Sequence, residues 1–114
     1  METLARKVAA FKLTASGIKI VWEKTQTTTE WATLIGRKHR RVWVGTNVPG
    51  AEIPGRNKTH TVVFRDAATG RKLARSARVP RMTQGSAVQP GYSGSVFFPG
   101  AEGTLIKMTP HPVR

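Results

Sequence analysis

The chain has 114 residues, enough for one compact domain with a modest core. Nineteen Lys and Arg against six Asp and Glu give a formal charge of +13, and there is no cysteine, which excludes disulfides, thiolate metal sites and a cysteine nucleophile. Hydrophobic residues make up 39% and charged residues 22%, and no apolar run approaches the roughly 20 residues of a membrane helix, so neither a helical membrane span nor a disordered tail is expected.

The first segment, Leu4 to Leu13, fits two patterns: Leu4, Val8 and Phe11 have helical spacing, while Ala9, Phe11 and Leu13 alternate as in a strand. The N-terminus, METLARKVAAFKL, lacks the long apolar stretch of a signal peptide, so secretion is not expected. Thr14 to Gly17 reads as a turn. Ile18, Ile20 and Trp22 then alternate with Lys19, Val21 and Glu23, which predicts a half-buried strand with the first three on its core face. Thr25 to Thr29 fits a hairpin tip, and Trp31, Thr33 and Ile35 begin the return strand. Arg41 to Thr46 forms another strand, with Val42 and Val44 on one face and Trp43 on the other.

Gly45 to Lys58 is a long Gly/Pro loop, of the kind that often carries function. Thr59 to Asp66 is the clearest strand, and Asp66 to Gly70 reads as a type I turn closed by a left-handed glycine. Arg71 to Val79 is the expected partner strand. Four of the seven prolines are followed by glycine, at 49–50, 54–55, 90–91 and 99–100, which fits tight turns between short strands. Ser95 to Phe98 and Thr104 to Met108 form a last hairpin. The predicted fold is mainly β: one domain over 1–108, a single small antiparallel barrel or twisted sheet of five to seven strands with at most one short helix, and an extended tail over 109–114.

Two basic clusters stand out. The first is Arg37, Lys38, His39, Arg40 and Arg41, followed by Val42 and Trp43, a residue able to stack on a base if it points outward. The second is Arg56, Lys58, Arg65, Arg71, Lys72, Arg75, Arg78 and Arg81, with Asp66 the only acid in that stretch. Arginine dominates it, and guanidinium forks match phosphate oxygens bidentately. The plain alternative is a solvated basic face. A domain so charged repels itself and gains by meeting a dense line of negative charge. The expected function is therefore non-enzymatic nucleic-acid binding through an Arg-rich β surface, with RNA or single strands slightly ahead of duplex DNA because short-stranded β domains commonly read unpaired bases. The alternative is a structural subunit of a virion or ribonucleoprotein assembly. The expected partner is RNA or DNA, with self-assembly allowed and no membrane. The expected location is intracellular, in cytoplasm or nucleoid, or within a virion.

Gly91-Tyr92-Ser93-Gly94-Ser95 resembles the GxSG nucleophile loop of chymotrypsin-like viral serine proteases, and His39, Asp66 and Ser93 occur in that family's His, Asp, Ser order. The resemblance covers five residues and implies Ser93 as nucleophile. Two six-stranded barrels do not fit comfortably in 114 residues, and His39 lies among four cationic side chains. The loop is therefore read as a tight turn, with no catalytic residue. His39, His60 and His111 lack the paired spacing of metal ligands, and neither a metal nor a cofactor is expected.

Overall fold

The computed structural model describes residues 5–28, 32–47, 59–82, 87–100 and 103–109. The ambiguous first segment is a strand. β1 (Ala5–Thr14) turns at 15–16 into β2 (Gly17–Thr28), and the two form an antiparallel ribbon. β3 (Thr33–Arg37), β4 (Arg40–Asn47), β5 (Thr59–Asp66), β6 (Lys72–Arg75) and β7 (Val79–Pro80) form a second sheet. β8 (Gln89–Pro90), β9 (Val96–Pro99) and β10 (Leu105–Met108) form a third. Every pairing is antiparallel. The fold is mainly β, as expected, with one 3-10 turn at Tyr92–Gly94 and no α-helix among the described residues. Among the described residues the sheets do not close into a barrel.

β5 is the hub of the second sheet. β4 runs along one edge, and β6 and β7 share the other. The strand expected over Arg71 to Val79 is thus broken in two. Ser76 bridges the break: its Oγ accepts the Val62 N–H at 2.8 Å, and its own N–H donates to the Val62 carbonyl at 2.9 Å. The ladder stays satisfied where the strand bends away.

Cross-strand partners share a face, so the register sorts the second sheet's side chains. Val44 and Phe64 are partners, as are Thr46 and Val62, and Ile35 and Val42. This face packs against the third sheet. Val44, Val62, Met82, Val88, Val96 and Phe98 form the core, with Ile35, Phe64, Val79, Ile106 and Met108 around it. Burying a Val or Phe of this kind stabilises by roughly 1.5–3 kcal/mol. The opposite face carries Trp43, Val63 and Arg65. The ribbon covers part of it, which is why β5 is buried on both faces.

The ribbon has two unlike halves. Near its base, Val8, Trp22 and Gln26 are buried. The Trp22 indole N–H donates to the Ala67 carbonyl at 2.8 Å, and its ring occupies the space a Cβ would need at Gly70. Gln26 and Thr28 donate to the Thr46 carbonyl, and the Thr27 N–H donates to the Asn47 side chain. These contacts use the β4 edge beyond the last β3 pairing, Thr33 with Val44. The outer half, from Phe11 to Val21, is exposed throughout. The expected core face of Ile18, Ile20 and Trp22 is therefore split. Ala10 pairs with Trp22 but Phe11 pairs with Ile20, so Val21 is an extra residue, a β-bulge. The bulge puts Ile18 and Ile20 across from Phe11 and Leu13, on the face of β1 opposite the one that carries Val8 and Ala10.

Candidate nucleic-acid interface

The first basic cluster is a hairpin tip. Arg37 and Arg40 are cross-strand partners, with Lys38 and His39 as the turn between them. Gly36 has φ +92°, and a Cβ there would lie 2.7 Å from the Arg40 carbonyl oxygen, so the approach to the tip requires glycine. All five residues from Arg37 to Arg41 are exposed.

The second hairpin turns at the same end of the sheet, because Val42 pairs with Asp66 and the Ala67 N–H donates to the Arg41 carbonyl at 2.9 Å. The Asp66 carbonyl accepts the Gly70 N–H, and Gly70 has φ +77°, as the turn signal predicts. The Asp66 carboxylate accepts the Ala68 N–H at 2.8 Å, so the lone acid of this stretch caps its own turn. Beyond the turn, Arg71, Lys72 and Arg75 are exposed, the last two on β6 at the open edge of the sheet, and Arg78 is exposed in the link to β7. The topology thus gathers Arg37, Lys38, Arg40, Arg41, Arg71 and Lys72 at one end of one sheet, with Arg75 farther along the same edge strand.

Three expected contributors are placed otherwise. Arg65 is only 6% exposed. Its Nε donates to the Gln26 side-chain oxygen at 3.0 Å, and one terminal nitrogen donates to the Gly70 carbonyl at 2.9 Å. Burial pushes its pKa below the ordinary value, yet arginine stays charged. Its charge binds the ribbon to the turn and is withdrawn from solvent. Trp43 is half-buried, with its ring lying over Gly45 two residues along its own strand, where a Cβ would collide with it. Arg81 is half-buried and partnered within the protein. Arg56 and Lys58 lie outside the described residues.

The ribbon adds a basic row that the two clusters did not include. Lys12 and Lys19 are cross-strand partners, both exposed, and Lys24 is exposed nearer the base. Lys19 and Lys24 are five apart, which alternation assigns to opposite faces until the bulge at Val21 is placed, so no local signal marked this row. Lys7 instead pairs with Glu23 at 2.9 Å.

His39 lies at the exposed hairpin tip and shares no hydrogen bond with Asp66 among the described residues. The loop containing Ser93 closes on Ser95. The Ser95 N–H and hydroxyl both donate to the Tyr92 carbonyl, and the Gly91 N–H donates to the Ser95 carbonyl. Among the described residues, no group of three or more His, Asp or Glu is placed to hold a metal ion, and no helix is long and apolar enough to cross a membrane. No protein-family model, curated protein or solved structure matches the chain.

Proposed function

We propose that the protein is a non-enzymatic nucleic-acid binder that neutralises phosphates with the basic end and edge of its central sheet. The observation that carries this reading is the convergence of two hairpin turns, 38–39 and 67–70, at one end of the sheet. Together they expose six cations, while the one local acid is engaged in its own turn. Exposed guanidinium groups can donate bidentately to phosphate oxygens without a cofactor. RNA or single strands rank slightly ahead of duplex DNA, because short-stranded β domains commonly read unpaired bases and the exposed Tyr92 offers a surface on which one could stack.

Binding measured over a range of salt concentrations tests the mechanism. With four to six phosphates neutralised, log K falls against log salt with a slope of about −3 to −5. The double substitutions Arg40→Ala with Arg41→Ala, and Arg75→Ala with Arg78→Ala, each weaken binding while the protein stays folded. A slope near zero with measurable affinity defeats the proposal. Normal low-salt binding by one double variant assigns that cluster to the solvated surface.

A further inference from the structure

The outer half of the ribbon carries an apolar face that no described residue covers. Phe11 is 62% exposed, Leu13 80%, Ile18 70% and Ile20 53%. The register makes them one patch: Phe11 is opposite Ile20 and Leu13 is opposite Ile18. Lys12 and Lys19 are opposite each other on the reverse face. A two-stranded ribbon is at best marginally stable in water without a third element against its apolar face. The Val21 bulge turns this face away from the side on which the base of the ribbon is docked. The patch therefore calls for an occupant beyond the described residues.

We propose that the occupant is a second copy of this chain, the two ribbons packing apolar face to apolar face about a two-fold axis. Side chains of this size cover roughly 150–200 Å² each, which at these exposures leaves a patch on the order of 500 Å² per copy. Two facing patches bury about 1,000 Å², the threshold of a specific interface. Self-pairing is isologous, so Phe11, Leu13, Ile18 and Ile20 supply both sides of the contact. It leaves Lys12 and Lys19 of both copies on the outer surfaces, where like charges are farthest apart and open to anions. Nucleic acid has no apolar plane to match the patch and is better served by the lysine row. A lipid interior is disfavoured because, among the described residues, β1 and β2 pair only with each other, and open edges of the ribbon would bring unsatisfied backbone groups into hydrocarbon. The inference stands apart from nucleic-acid binding, because the patch lies on the ribbon and the proposed phosphate contacts lie on the end and edge of the central sheet.

The test is the mass of the full-length, nuclease-treated protein in high salt, read by sedimentation equilibrium across concentrations. The unsubstituted chain forms a concentration-dependent dimer. Phe11→Thr with Ile20→Thr, which keeps β-branched residues in the strands, is a monomer with unchanged circular dichroism and an unchanged salt slope for nucleic acid. Lys12→Thr with Lys19→Thr, on the reverse face, remains a dimer. If the apolar double variant fails to fold, Leu13→Thr alone must raise the dimer dissociation constant at least about tenfold. A monomer at all concentrations, or a double variant that still dimerises, overturns the proposal. So does monomeric protein that floats with phosphatidylserine–phosphatidylcholine vesicles and loses this with Phe11→Thr and Ile20→Thr, since the occupant is then a membrane.

Discussion

Arg65 and Lys72 are cross-strand partners on β5 and β6, yet they have opposite surroundings. Arg65 lies under the base of the ribbon, held between Gln26 and the Gly70 carbonyl. Lys72 stands in solvent at the edge of the sheet. Both belong to the stretch of basic residues that gives the sequence its strongest local field. The difference shows that linear charge density counts cations without saying which are spent inside. One cation here is structural, and its neighbours are available for a partner.

The largest expected effect follows from removing the structural one. Arg65→Ala leaves the Gln26 side-chain oxygen and the Gly70 carbonyl without this donor in a buried setting, and should cost about 2–3 kcal/mol in denaturant unfolding. Measured on the folded protein, its salt slope for nucleic acid should match that of the unsubstituted chain. A slope reduced by about one would place Arg65 among the phosphate contacts and erase the contrast with Lys72. Next in size is Gly70→Ala, at the turn that accepts the Arg65 bond. A Cβ there would meet the Trp22 ring at 2.5 Å, and the φ of +77° disfavours any L side chain. A loss of about 2 kcal/mol, with a change in tryptophan fluorescence as Trp22 shifts, is expected. Unchanged stability and fluorescence would show that the ribbon base is not seated on this turn.

These sites mark what the sequence made legible. The strand Thr59–Asp66, the turn ending at Gly70, the opposite faces of Val44 and Trp43, and the hairpin of β9 and β10 all follow from period-two alternation and turn chemistry acting locally. The Gln26–Arg65 bond spans 39 positions and has no local signature. The alternation of Ile18, Ile20 and Trp22 suggested one core face because a one-residue bulge inverts a face without disturbing the pattern on either side of it. Barrel closure was likewise beyond local reading, since it depends on how edges meet and β6 ends as an open edge. The gathering of two basic tips at one end was implicit in the hairpin register once both turns were placed.

A smaller effect comes from the other buried basic side chain. His60 is fully buried against Phe98, and its Nε2 accepts the Met82 N–H at 2.9 Å, which requires the neutral ring. Desolvation lowers its pKa below 6.5, the charge of Arg81 adds to that, and a backbone hydrogen bond opposes it. The folded state therefore takes up this proton less readily than the unfolded chain. The stabilising contribution is complete above the unfolded value of about 6.5 and declines as pH falls from there toward the lower folded value. Thermal unfolding between pH 7.5 and 5 should show this decline. His60→Gln, whose amide oxygen can accept the same N–H, should flatten it. Parallel curves for the two proteins would assign the pH dependence to other groups.

The smallest effect on stability, and the sharpest test of the contrast, lies at the open edge. Arg71→Ala with Lys72→Ala should change unfolding free energy by no more than about 0.5 kcal/mol per residue, since both side chains are exposed. Two different duties fit cations on an edge strand. They can hold phosphates, or they can keep the unpaired backbone of β6 from pairing with another sheet, a common use of charge on exposed edges. The two duties separate in one pair of measurements. If the cations hold phosphates, the double variant loses about two from the magnitude of the salt slope and stays as dispersed as the parent. If they only guard the edge, the slope is unchanged while light scattering rises with concentration, because β6 has lost its repulsion. The first outcome keeps Arg65 and Lys72 on opposite sides of the divide between structure and binding. The second leaves the hairpin tip at Arg37 to Arg41 as the binding element and makes β6 a protected edge.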